Sequence, residues 1–303
     1  MKGSRTQKSV TNTVVSFASQ LIVILLGFLS RRVLIYSVGV EYLGINGLMS
    51  NILTIFSLAE SGIGLAIGYA LYKPLAENDI EQIKSLMRFF KYTYRALAIG
   101  TAAIGIAFYP LLPFFLKDNT APDANLVYWL FLLGSVSSYL WVYKTTLNTS
   151  DQNKYLYTIA STIAQIVVLV LKVLILYFAQ NYILYLAVDI GTTIVKNLIF
   201  CRIVDRRDPY LKDKNVRKLD PEVRKSLFTN IKALFLGKVG YIISQCSDNL
   251  VISSLVSVTA VGMYSNYTAL ITSVSGFVTT FSSGVTASMG NLIASETKER
   301  AYE

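Results

Sequence analysis

Eight ionisable side chains sit inside stretches otherwise too apolar to hold them: Arg31, Arg32, Lys172, Lys196 and Lys238, and Glu60, Asp189 and Asp248. A charge near the middle of a membrane-spanning helix costs at least ~2.5 to 3.5 kcal/mol, so each is expected to face protein or water. Arg31 and Arg32 are adjacent and point about 100° apart on a helix. A guanidinium there can hold a phosphate or pyrophosphate through two parallel N–H donors. The plainer alternative is that the pair snorkels to the outer headgroups. Lys172 and Lys238 are further candidate phosphate contacts. Asp189 and Lys196 are seven residues apart and share a helix face, which makes Asp189 a candidate coupling site for a cation or proton; Lys172 could instead neutralise it. Glu60 is a third candidate acid, although the nearby Gly62, Gly64 and Gly68 read more simply as close helix packing or a hinge.

No catalytic residue and no metal site is expected. The chain has no His for acid–base work, no D-x-D pair, and two cysteines, Cys201 and Cys246, within or beside apolar stretches.

The elements that must position these groups follow from hydropathy. With 53% hydrophobic residues, only 15% charged ones and a mean hydropathy of +0.49, the 303-residue chain carries more apolar surface than a soluble domain can bury. Runs long enough to cross a ~30 Å hydrocarbon core recur at 11–36, 43–72, 92–116, 124–146, 156–178, 183–203, 230–256 and 262–294. The expected architecture is an all-α integral membrane protein of about eight transmembrane helices. Lys and Arg number 22 across the N-terminus, the gaps at 73–95, 144–155 and 201–232, and the tail; the other gaps hold one, Lys117. The positive-inside rule therefore places both ends of the chain in the cytoplasm. The net charge of +10 is accounted for by this topology, so no nucleic-acid partner is expected. The first apolar run ends in Arg31-Arg32 without a small-residue cleavage site, and reads as an uncleaved span.

Six spans precede the longest polar gap. This divides the chain into an N-terminal six-helix bundle at 1–203, a basic cytoplasmic linker at 204–229, and the first two helices of an incomplete C-terminal bundle at 230–303. Asp220-Pro221-Glu222 reads as a helix start, with Asp as N-cap and Pro in the first turn. Sliding the sequence by 218 residues superposes the first two spans on the last two without a gap: Thr11-Asn12 falls on Thr229-Asn230, Phe17 on Phe235, and Gly44 on Gly262. That pattern argues for a duplication with parallel repeats of six helices. Asp248 falls on Ser30, next to the partner of Arg31, so an ion pair between Asp248 and Arg31 or Arg32 across the repeat axis is expected when the outer side is closed.

Several segments also resemble the polysaccharide-biosynthesis flippases of the multidrug/oligosaccharidyl-lipid/polysaccharide exporter superfamily. They are Val40-Glu-Tyr-Leu-Gly44-Ile-Asn-Gly47, Leu58-Ala-Glu60-Ser-Gly62-Ile-Gly64, and Leu71-Tyr-Lys73-Pro74-Leu-Ala-Glu-Asn-Asp79 with Phe89-Phe90-Lys91. The resemblance implies a MATE-like, two-lobed helical bundle around a hydrophilic cavity in a bacterial inner (plasma) membrane. Basic side chains there would hold an undecaprenyl-pyrophosphate-linked O-antigen or capsule repeat unit, driven by a Na+ or H+ gradient, with no cofactor. The implied partners are the lipid-linked oligosaccharide, membrane lipids, and the polysaccharide polymerase and glycosyltransferases. Family members usually carry twelve or more spans, so this chain reads as a shortened form. Two rivals stand beside this reading: a multidrug extruder of the same superfamily, which should favour acids over bases in its cavity, and a non-transporting scaffold of the polysaccharide machinery.

Overall fold

A computed structural model of the chain describes residues 5–57, 60–116, 123–151, 154–213 and 215–295. Every regular element among them is helical. The helices are α1 (Arg5–Val38), α2 (Val40–Phe56), α3 (Glu60–Glu77), α4 (Ile80–Phe108), α5 (Leu112–Phe115), α6 (Ala124–Ser138), α7 (Val142–Ser150), α8 (Lys154–Phe178), α9 (Tyr182–Arg207), α10 (Pro221–Leu255) and α11 (Val258–Ser295).

Apolar side chains cover much of the outside. Along α8, Ile163, Val170, Leu174 and Phe178 are exposed, and along α1, Val14, Leu21, Leu25 and Phe28 are exposed. Only lipid can satisfy such faces. Five helical stretches are long and apolar enough to cross a membrane: Thr13–Val38, Ile80–Phe115, Ala124–Ser150, Tyr155–Phe178 and Tyr182–Arg207.

The structure differs from the hydropathy reading in two places that matter for the site. The expected second span, 43–72, is two helices, α2 and α3, interrupted after Phe56. The expected fourth span, 124–146, is likewise α6 and α7, interrupted at Tyr139–Trp141. Neither break contains Pro or Gly. In both, hydroxyls turn back on carbonyls of the preceding turn: Ser57 Oγ donates to the Thr54 carbonyl at 2.9 Å, and Ser138 Oγ to that of Ser135 at 2.7 Å. Such bonds offer the carbonyls an alternative partner to the helical ladder, and they also occur in continuous helix, as at Ser253 and Ser265.

The stretch read as a linker is also more ordered. Helix α9 continues to Arg207, and α10 starts at Pro221 with Asp220 as N-cap, its carboxylate accepting from Glu222 N at 2.9 Å. This is the start signal read from Asp220-Pro221-Glu222. The intervening turns lie on α4, where Ser85 Oγ donates to the Arg217 carbonyl at 2.9 Å and Lys84 pairs with Asp213 at 3.0 Å.

Two apolar cores result, stacked along the helix direction. One gathers Leu34, Ile45, Leu48, Ile52, Tyr128 and Tyr185. The other gathers Ile67, Leu71, Leu86, Phe90, Leu147 and Leu227, and Val136 packs against both. The break after Phe56 falls between them, and Tyr139 of the other break is packed into the second core.

Helices α10 and α11 dock on α1, α2 and α3. The contact is built on the glycines related by the 218-residue offset. A Cβ on Gly44 would overlap the Val258 carbonyl oxygen, and one on Gly262 would lie 2.5 Å from the Val40 carbonyl oxygen. Val40 and Val258 are themselves related by that offset, so α2 and α11 meet as equivalent elements about a local pseudo-two-fold axis. A second close approach seats Gly62 of α3 on α10, where an added Cβ would lie 2.7 Å from the Ile231 carbonyl oxygen. Small residues allow backbones to approach this closely, and such packing is what holds helices together where lipid surrounds them. Gly39 makes the one-residue connection between α1 and α2 at φ 98°, a conformation that disfavours any side chain.

Gly44→Ala and Gly262→Ala should each destabilise the protein by about 1 to 3 kcal/mol, because the added methyl meets backbone that cannot move aside. Gly191→Ala, which meets no atom within 4 Å, should be neutral or slightly stabilising. Thermal melting of the detergent-solubilised protein checks this contrast.

Candidate functional site

The ends of α2 and α6 open into a cavity of 410 Å³ at the level of the breaks. Asn46, Ser50 and Ser57 line it from α2 and its end, Ser135 and Ser137 from α6, and Asp189 and Thr193 from α9. The C-terminal turns of α2 and α6 form part of its wall, and Asp189 adds a carboxylate. Hydroxyl, carbonyl and carboxylate oxygens are the donor set for a hard cation or a proton. Among the described residues no group of three or more His, Cys, Asp or Glu is placed to hold a metal ion. Glu60 opens α3 at the same break but points elsewhere, beside the buried Tyr139.

A second cavity of 360 Å³ lies between α1, α8 and α9, on the other side of Asp189. It is lined by Gly27, Ser30, Gln165, Lys172, Asp189, Thr193 and Lys196. Here Lys172 Nζ stands 3.1 Å from Asp189 Oδ1 and 4.2 Å above the Tyr185 ring. The Tyr185 hydroxyl shares a hydrogen bond with Ser30 Oγ at 3.1 Å. A continuous polar path therefore runs from α1 through Tyr185 and Lys172 to Asp189. Lys196, two turns along α9, instead caps Tyr157, 3.4 Å from its hydroxyl.

The two adjacent arginines diverge. Arg32 is exposed on the apolar stripe of α1 and lies over the Tyr36 ring at 5.7 Å, a snorkelling arrangement. Arg31 turns inward to α11, where Nη1 donates to the Ser265 carbonyl at 2.6 Å, to Ser265 Oγ at 3.2 Å and to Asn266 Oδ1 at 3.1 Å. All three acceptors are neutral. No carboxylate pairs with Arg31 among the described residues.

The expected pairing with Asp248 is not made in this structure. Asp248 is exposed on α10 and accepts from the Tyr264 hydroxyl at 2.8 Å. The repeat partner of Arg31 is Asn249, which is buried and whose Oδ1 has no hydrogen-bond partner among the described residues. A Cβ on Gly47, the repeat partner of Ser265, would lie 3.6 Å from Asn249 Nδ2 and 3.8 Å from Ser265 Cβ. Arg31 and Asn249 thus enter the junction of the two repeats from opposite sides. Lys238 belongs to α10, but its side chain lies outside the described residues.

Sequence reasoning missed the helix breaks, Tyr185 and Asn249. The breaks had one legible signal, a 30-residue second span where about 20 residues suffice to cross. Asn249 was legible as the offset partner of Arg31.

These features define a multi-pass helical membrane protein with a polar layer between two apolar cores. No family model and no curated protein sequence matches the chain. A solved structure does: it is described as the inward-facing conformation of a multidrug resistance MATE family transporter of the MOP superfamily. The likeness has a TM-score of 0.61 over 96% of this chain and 68% of that one, at 14% sequence identity. At that identity the match is one of fold, and the fold is MATE-like.

The Lys172–Asp189 pair gives an asymmetric prediction. Its side chains are 12% and 49% exposed, so removing the acid strands a buried cation, whereas removing the lysine leaves an acid that opens on two cavities. Asp189→Asn should lower the melting temperature more than Lys172→Gln, and the double variant should recover part of the loss. Equal single-variant losses would show that burial does not set the cost.

Proposed function

We propose that this protein moves an anionic lipid-linked oligosaccharide across the membrane by alternating access. The substrate class is the undecaprenyl-pyrophosphate-linked repeat unit of a surface polysaccharide, and the membrane is the bacterial plasma membrane. The observation that carries the reading is Arg31, a guanidinium held between the repeats by neutral acceptors alone. A cation so placed can still be neutralised by an incoming anion, and a pyrophosphate matches its paired donors. Asn249 offers an unused acceptor at the same junction, suited to a sugar hydroxyl. In this scheme α1 and α2 part from α10 and α11 as the substrate phosphate takes the place of Ser265 and Asn266 on Arg31.

Coupling falls to Asp189. A proton or Na+ entering the cavity at the helix ends would weaken the pull of Asp189 on Lys172, and the Tyr185–Ser30 contact links that event to α1. The polymerase and glycosyltransferases of the same polysaccharide are the natural partners of such a transporter.

Multidrug extrusion is the second reading. It draws on the description of the structural neighbour and on Asp248, an exposed acid suited to a cationic drug. Arg31 separates the two. In a cellular assay of repeat-unit export, Arg31→Gln should reduce export at least about tenfold and Arg31→Lys should retain part of it, since Lys keeps the charge but not the bidentate geometry. Unchanged export in Arg31→Gln together with extrusion of a cationic dye would replace this proposal with the multidrug one.

A further inference from the structure

A third cavity, of 460 Å³, lies away from both sites, where α4, α7 and α9 converge on the turn at Pro209–Lys212. Five basic side chains line it against two acids. The acids are already engaged. Asp205 binds Lys144 at 2.7 Å, and Asp213 binds Lys84 at 3.0 Å, with Glu81 completing the neutralisation of Lys84 at 2.5 Å. Lys84 and Lys144 are thereby fixed as a buried floor, their side chains 9% and 13% exposed.

The other three cations, Arg88, Lys91 and Lys212, have no carboxylate partner among the described residues. Arg88 donates a hydrogen bond to the Val216 carbonyl at 3.2 Å. Tyr210 adds a hydroxyl to the wall. Burial, then the neighbouring Asp208, pushes it up to about 12, so it remains a neutral donor at any physiological pH. The cavity is thus an excess of hydrogen-bond donors and positive charge on a rigid base.

Its level in the membrane identifies the ligand. Lys84, Arg88 and Lys91 occupy the turns of α4 just before its apolar stretch, and Tyr92 and Ile99 are exposed immediately beyond them. On α9, Ile199 and Ile203 are exposed just before Asp205. A ligand filling this space meets the donors of its wall, and the exposed apolar side chains of α4 and α9 lie further along the same helices. A phospholipid headgroup with its acyl chains fits both, whereas a free phosphate fits only the first. We propose that this cavity is a binding site for the phosphate headgroup of an anionic lipid in the leaflet beside the basic loops.

The test is native mass spectrometry of the full chain released from nanodiscs that hold equal amounts of phosphatidylglycerol and phosphatidylcholine. The wild-type protein should retain phosphatidylglycerol selectively. The variant Arg88→Gln/Lys91→Gln/Lys212→Gln should lose that retention at least about tenfold, while Arg206→Gln/Arg224→Gln/Lys225→Gln, which removes the same charge elsewhere on the basic face, should keep it. Should the first triple variant fail to fold, the exposed single change Lys91→Gln should still give a partial, selective loss. Equal retention of the two lipids, or equal loss in the two triple variants, would overturn the proposal. So would a thermal stabilisation of delipidated protein by inorganic phosphate that matches the effect of phosphatidylglycerol and depends on Arg88, since the ligand would then be a soluble anion.

Discussion

The contact of α2 with α11 at Gly44 and Gly262 is the constraint on which the remaining geometry depends. In lipid, apolar helices gain little from leaving their solvent, so association rests on backbones that can come close enough for dispersion and on polar groups that satisfy one another. Here the closest approach is made by the two glycines that the 218-residue offset relates, each lying against the Val carbonyl four positions before its partner. Such self-complementary packing fixes the axial register of the two repeats. With that register set, Arg31 comes level with Ser265 and Asn266, and Asn249 level with Gly47. A side chain in place of either glycine would separate the helices and move the guanidinium off its acceptors.

The second organising feature is the polar layer between the two apolar cores. An interrupted helix exposes backbone groups that lipid cannot satisfy, and is tolerated at membrane depth only where protein or a watery cavity receives them. The break between α2 and α3 and the break between α6 and α7 meet this condition together. Tyr139, from the second, is buried, with Glu60 and Ser57 of the first beside it. The cavity at the same level gathers Ser50, Ser57, Ser135 and Ser137 with Asp189. The cost of two breaks is therefore met by a shared site, and that site adjoins the Lys172–Asp189 pair leading to α1.

Much of this was legible from residue order. Hydropathy gave the helical membrane class, Asp220-Pro221-Glu222 gave the start of α10, and the 218-residue offset identified the glycines that meet. The alternative in which Lys172 neutralises Asp189 is the arrangement found. The breaks were hidden because no proline or glycine marks either of them. The expected Arg31–Asp248 pair was missed for a geometric reason. An offset says which residues are equivalent, but not which residue each one faces across the axis; Arg31 faces α11, while Asp248 sits on α10 beside Tyr264. The arginines themselves showed the limit of spacing arguments. Adjacent positions guaranteed that they would diverge, and only packing decided that Arg31 is the inward one.

The central claim is that the junction around Arg31 opens during transport, and the accessibility of Ser265 tests it most directly. Ser265 is buried beneath that guanidinium, and the native thiols Cys201 and Cys246 can be replaced to give a silent background. In cells of that background, Ser265→Cys should resist a membrane-impermeant maleimide at rest. It should become reactive from the outer face when repeat-unit substrate is supplied. Labelling that is the same with and without substrate would contradict the account, because the two repeats would then form a fixed block and Arg31 a structural clamp.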